Sequence, residues 1–282
     1  MHNIPQHRFI QHTDWGVVLH RVTSVVPQYH PVHYIHQDDY YIFGFLSRGR
    51  ARGMIDFEEI DFSGGQFIVI QPGQVHRFVR AEGVEGYLLL VESRFVGAEE
   101  KAALDRFRLF TSSFPLDSRR QKELSQLVDL LESRVKISPT SQAKAVVNRL
   151  VEAFVGIVAE AVSGHDYPNA RYSQRQVELL LSFRQLLVGQ LSQHRRPAYY
   201  ADQLHVSTVY LNEVVRRLTG RSATTYIQTE LLLRAKRQLC YTNRSVKEVA
   251  YDLGFDDSAY FSRLFTRVVG ASPTAFRQKN LV

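Results

Sequence analysis

Apolar and polar positions change rhythm along this chain, and each change marks a different kind of element. Up to Glu99, short runs rich in aromatic and β-branched residues stand between glycine and proline breaks. "DYYIFGFLSR", "GQFIVIQPGQVHRFV" and "GYLLLVES" are the clearest runs, and the breaks fall at Gly49, Gly53, Gly64-Gly65, Pro72-Gly73, Gly83 and Gly86. Side chains suited to a pleated, half-buried surface, interrupted by residues that permit tight turns, predict a small β-sandwich or barrel.

Beyond Glu99 the spacing becomes helical. Leu124, Leu127, Leu131 and Val135 form one stripe; Val146, Leu150, Phe154, Ile157 and Val158 form another. They predict helices over 119–136 and 141–162, separated at Pro139. "GHDYPNARYS", residues 164–173, reads as a linker, and from Gln174 to the end the pattern is helical again. The chain is therefore expected to be α+β: a β domain over 1–100, a helical region over 101–163 and an all-α domain over 174–282.

The last part repeats itself. Tyr210, Val214, Arg217, Gly220, Ser222 and Thr224 match Tyr260, Leu264, Arg267, Gly270, Ser272 and Thr274, all offset by fifty. Upstream, Ala201, Leu204 and Val206 match Ala250, Leu253 and Phe255, offset by forty-nine. One supersecondary unit is used twice, with one extra residue in the second turn at Asp256-Asp257. Each copy reads as helix, short turn, helix. Ser245 and Glu248 spell a capping box, Gly254 a helix stop, and Ser207 and Asp256 or Asp257 N-caps for the helices that follow. Leu211, Val214, Val215 and Leu218 make the apolar stripe of one following helix; Phe261, Leu264, Phe265 and Val268 make the other. The opposite faces carry Thr208, Val209, Asn212, Glu213 and Arg216, and Ser258, Ala259, Ser262, Arg263 and Thr266. Such small polar faces with an arginine suit a helix inserted among base edges; two solvated helices of a bundle are the plainer alternative.

Charge favours the first reading. The net charge is +7. From Arg195 to the end there are 14 Lys/Arg against 7 Asp/Glu, while the first 194 residues hold 21 of each. All the excess lies with the repeat, as expected of a polyanion-binding part. The single cysteine, Cys240, excludes an intrachain disulfide and fits a reducing compartment. The start, "MHNIPQHRFI", lacks a signal core, and no apolar run approaches the ~18 residues of a membrane span. A cytoplasmic protein without membrane attachment is expected.

The phrases "VSTVYLNEVVRRLTGRSATTYIQTELLLRAKRQL" and "SVKEVAYDLGFDDSAYFSRLFTRVVGASPTAFR" resemble the AraC/XylS family of bacterial transcription regulators, and the resemblance runs from about Arg175 to Lys279. It implies two helix-turn-helix units joined by one long helix, here about Thr224 to Tyr241. It further implies that Val209, Asn212, Glu213, Ser258, Ala259, Ser262 and Arg263 face the major groove of double-stranded DNA. Glu213 departs from the usual basic or neutral residue; it either accepts from a cytosine amino group or weakens that half of the contact. Thr208 and Arg216 lie on the same face, and Arg221 is a candidate phosphate contact. The two predicted helices over 119–136 and 141–162, with Leu124, Leu127, Leu131, Leu150 and Phe154, would pair two chains into a homodimer.

"GGQFIVIQPGQVHRF" resembles the second cupin motif, and the family's sensor domains are cupin-like and bind a small organic effector. Tyr41, Phe43, Phe45 and His76 are the expected ligand-binding residues. His30, His33 and His36 are spaced His-x-x-His-x-x-His rather than His-x-His, and no carboxylate stands where the metal-binding motif requires one. No metal, cofactor or catalytic residue is expected. The function expected is effector-controlled transcription regulation; the alternative is a metal-dependent cupin enzyme with a basic helical appendage.

Overall fold

The computed structural model describes residues 6–7, 15–23, 36–164 and 172–280. It divides into two compact units, one spanning Pro5–His165 and the other comprising the chain from Asp166 onward. Most of the 164–173 stretch, and His30 and His33, lie outside the described residues.

The first unit is built on β1 (Gln6–His7), β2 (Val17–Val22), β3 (His36–Asp38), β4 (Tyr40–Ile55), β5 (Glu58–Ser63), β6 (Gln66–Ile70), β7 (Val75–Glu92) and β8 (Ser113–Pro115). The strand order is β1-β3-β7-β4-β6-β8, with β2 added to β7 and β5 to β4. β4 and β7 pair antiparallel from Tyr40↔Glu92 to Ile55↔His76. Tyr40 and Ile55, at opposite ends of one strand, nevertheless share a core cluster with Ile70, Leu88 and Leu90. A straight 16-residue strand would separate its ends by about 50 Å. The ribbon therefore folds back on itself, and the result is an open sandwich rather than a closed barrel.

Glycines make this bend possible. Gly49 and Gly83 were expected at turns, but both lie inside long strands, with φ of +87° and +56°. Register shifts fall at Leu46/Arg48 and Arg48/Arg50 beside them. They are bulges, where one strand gains a residue and twists. The true hairpin turn between β4 and β5 is Asp56-Phe57, both residues with positive φ.

Three helices complete this unit: α1 (Ala98–Arg108), α2 (Ser118–Val135) and α3 (Ser141–Ser163). Asp117 and Thr140 cap α2 and α3 through their side chains. The buried face of α3 runs through Val147, Val151, Phe154, Val158 and Val162, so Val146 and Ile157 fall outside it. Phe154 sits against Phe43, Phe67 and Tyr87 of the sheet, at ring distances of 5.6, 6.3 and 6.4 Å. Leu124 and Leu131 are likewise buried within the unit.

The second unit holds α4 (Gln174–Gln190), α5 (Pro197–Gln203), α6 (Thr208–Thr219), α7 (Ala223–Tyr241), α8 (Val246–Asp252), α9 (Ser258–Val269) and α10 (Pro273–Asn280). The duplication is visible bond by bond. Val206 N–H bonds the Ala201 carbonyl at 2.9 Å, and Phe255 N–H bonds that of Ala250 at 2.9 Å. Gly220 and Gly270 both close their helices in the left-handed conformation. The stripe of α6 is buried throughout, whereas in α9 Val268 is 50% exposed. No helix among the described residues is long and apolar enough to cross a membrane.

Candidate DNA interface, effector cleft and histidine cluster

The helices α6 and α9 are held from beneath and bare above. Leu211, Val214 and Val215, and Phe261, Leu264 and Phe265, fix their inner faces. The N-terminus of each is capped: Ser207 Oγ accepts from Tyr210 N–H at 3.1 Å and Asp257 Oδ1 from Ala259 N–H at 2.7 Å. Thr208, Val209, Glu213 and Arg216 are exposed on α6, Val209 to 77%. On α9, Ala259 and Arg263 are exposed and Ser258 and Ser262 half-buried. Arg263 has a loose ion pair with Asp257 at 3.6 Å, both side chains well exposed, so the guanidinium is available to a ligand.

Asn212, Ser262 and Arg221, all predicted contacts, also have partners within the chain. Asn212 Oδ1 accepts from Ala223 N–H at 3.0 Å and so holds the start of α7. Ser262 Oγ donates to the Ser258 carbonyl at 2.9 Å within its own helix. Exposed Arg221 touches Thr229 at 3.4 Å. The basic excess is also partly structural. Arg195 bonds the Leu253 carbonyl, Arg234 the Leu187 carbonyl and Arg277 the Leu239 carbonyl, at 2.8, 2.9 and 2.7 Å. These arginines satisfy helix-end carbonyls rather than face solvent.

In the first unit, alternation along β4 puts Tyr41, Phe43 and Phe45 on the face covered by α3. Burial there pushes the Tyr41 hydroxyl up to about 12. Phe45 reaches the wall of a cleft of about 400 Å³ lined also by Arg21, Val22, Ser47, Tyr87 and Ser125. The Tyr87 hydroxyl there is buried and has no hydrogen-bond partner among the described residues. Arg21 reaches Asp129 and Glu132 of α2, the latter at 3.1 Å. His76 is elsewhere, at the edge of an apolar cavity between the two halves of the sandwich. Ile60, Phe62, Ile70 and Phe78 also line it, and its free interior of about 20 Å³ is no larger than one water. Tyr41 and Phe43 line neither space.

His36 and His76 are directly opposed on β3 and β7, and Asp38 lies two residues along from His36. All three are buried, and their donor atoms lie within 4.8 Å of one another. This is the carboxylate that the histidine spacing alone did not reveal.

Two family models match the chain: an AraC-like ligand-binding domain over residues 27–154 and a helix-turn-helix domain over 200–279. The Msm operon regulatory protein of Streptococcus mutans is 22% identical over 241 residues, covering 86% of this chain and 85% of that protein. The transcriptional activator RhaS of Escherichia fergusonii is 23% identical over 256 residues, covering 86% and 87%. Among solved structures, ToxT of Vibrio cholerae superposes with a TM-score of 0.46 at 12% identity, covering 93% of this chain and 97% of that one.

Proposed function

The chain belongs to the AraC/XylS family of transcription regulators, and from that premise we propose that a small organic effector in its sensor unit controls a sequence-specific, two-helix reading of DNA. It joins an AraC-like ligand-binding domain to a helix-turn-helix DNA-binding domain. The single observation that supports specific reading is the pair of exposed faces on α6 and α9, each anchored by a buried apolar stripe. Thr208, Val209, Glu213 and Arg216 on one, and Ser258, Ala259, Ser262 and Arg263 on the other, would meet successive major grooves. Val209 suits a thymine methyl and Arg263 a guanine edge.

The cleft beside Phe45 and Tyr87 is the proposed effector seat. It has ordinary ligand-pocket size and an aromatic wall from Phe45 and Tyr87. The cavity at His76 would first have to open. A homodimer through α2 and α3 is also proposed, but through only part of the set that the periodicity pointed to. Leu124, Leu131 and Phe154 are buried in their own unit, which leaves Leu130 and Val146, with half-buried Leu127 and Leu150, to meet a second chain.

The relatives above are named as regulators. The one cysteine is no obvious nucleophile, since burial pushes the Cys240 thiol up to about 12. Selecting bound duplexes from a random library with the full chain tests the reading. Recovery of one bipartite consensus is expected; recovery of unenriched sequence would reject it.

A further inference from the structure

We propose that His36, Asp38 and His76 form a binding site for one divalent transition-metal cation. β3 and β7 set His36 opposite His76, with ring centroids 4.1 Å apart. The two-residue repeat of a strand puts Asp38 on the same face as His36. Asp38 Oδ2 lies 3.3 Å from His76 Nε2 and 3.9 Å from His36 Nε2. Donors bound to one ion at ~2.0–2.2 Å lie about 3–4 Å from each other, so small rotamer adjustments bring these three around a common centre. His36, Asp38 and His76 are only 6%, 3% and 4% exposed, which is unusual for two imidazoles and a carboxylate.

The hydrogen-bond roles point the same way. His76 Nδ1 is 3.2 Å from the Gln74 carbonyl oxygen. A carbonyl only accepts, so Nδ1 carries the hydrogen and Nε2 is left facing Asp38. A bare Nε2 lone pair 3.3 Å from a carboxylate oxygen is repulsive unless positive charge stands between them. One proton would bridge one nitrogen and one oxygen; one cation satisfies the carboxylate and both imidazoles together. The contact to Gln74 is also the kind of outer-shell bond that fixes a metal-bound histidine's tautomer.

The surrounding turn is braced. Gly73 N–H bonds the Asp38 carbonyl at 2.8 Å, Gln71 N–H bonds Gln74 Oε1 at 2.8 Å, and Gln74 Nε2 bonds Asp56 Oδ2 at 3.0 Å. Two imidazoles and one carboxylate suit zinc, iron(II), cobalt(II) or nickel(II) over magnesium or calcium. Three protein ligands leave a coordination position for water or another small donor.

Chelator-treated full-length protein titrated with cobalt(II) tests this. One cobalt per chain with visible d–d absorption, displaced by zinc(II), is expected. Asp38→Asn should lower cobalt affinity by at least about tenfold, and His36→Gln should do likewise. His30→Gln/His33→Gln should bind as the wild type does, and zinc should raise the melting temperature of the wild type but not of Asp38→Asn. The site is refuted if no stoichiometric cobalt binds. It is equally refuted if Asp38→Asn and His36→Gln bind as well as wild type, or if the His30/His33 double variant is the one that loses the metal. If the Asp38 and His36 variants fail to fold, the wild type's zinc-dependent melting shift and the intact double variant decide alone.

Discussion

Asn212 Oδ1 and the backbone N–H of Ala223 are joined by a hydrogen bond of 3.0 Å. It ties the outer face of α6 to the start of the long connecting helix α7. Fifty residues on, the matching positions are Ser262 and Pro273. Proline has no N–H to offer, and Ser262 turns back on its own helix instead. The two repeats thus differ at a matched pair of sites. Asn212→Ala should cost about 1–2 kcal/mol, because the Ala223 donor is part-buried and left without this acceptor. It should weaken binding to every DNA sequence by a similar factor. Ser262→Ala should change stability by no more than about 0.5 kcal/mol. Denaturant unfolding, with binding to two unrelated duplexes, checks both.

A second matched pair is His205 and Gly254, the left-handed residues that close α5 and α8. A Cβ on Gly254 would stand 2.0 Å from the Ser192 carbonyl oxygen, a backbone atom that cannot swing aside. Gly254→Ala should therefore cost at least ~2 kcal/mol. His205→Gly relieves a non-glycine residue at φ +53° and should leave stability within ~1 kcal/mol of wild type. Equal losses in the two variants, read by chemical denaturation, would contradict this.

Tyr87→Phe removes a buried hydroxyl that has no partner among the described residues. Without effector, stability should stay the same or rise, since nothing is broken and an unsatisfied polar group is gone. An effector that seats its polar group on Tyr87 should bind the variant about tenfold more weakly or worse. Melting curves with and without effector measure both.

Capping of α8 is pH-dependent in a definite direction. Glu248 accepts the Ser245 N–H at 2.6 Å, and that backbone bond holds its carboxyl below the ordinary range. A folded-state pKa below the unfolded one gives stability that is present above the unfolded value. It is lost as pH falls through the folded value. Glu248→Gln keeps an acceptor but cannot titrate. Its stability should fall less steeply than that of the wild type between about pH 5 and pH 3.

Much of the second unit was legible because its signals are local. The capping box and the helix stops lie within a few residues of what they specify. The sensor unit was read less well because its signals are long-range. Alternation along β4 separates Tyr41, Phe43 and Phe45 from Tyr40 and Ile42 but carries no sign, and α3 settles which face it covers. Glycines 49 and 83 signal positive φ equally for a turn and for a bulge. Asp38 joins His76 only through the pairing of strands forty residues apart. On α6, the acceptor role of Asn212 depends on where α7 begins, which helical periodicity does not state.

The central claim is that α6 and α9 read two groove segments, with Arg263 on a base. On the selected operator, the direct measurement is binding of Arg263→Ala to a panel of all single-base variants, beside Arg221→Ala and the wild type. Arg263→Ala should lose ~1–3 kcal/mol on the operator and lose its preference at one base position only. That position should lie in one of two protected segments about 10 bp apart. Arg221→Ala should lose affinity evenly across the panel, with a shallower salt dependence. Uniform losses for Arg263→Ala, or a single protected segment, would contradict the account.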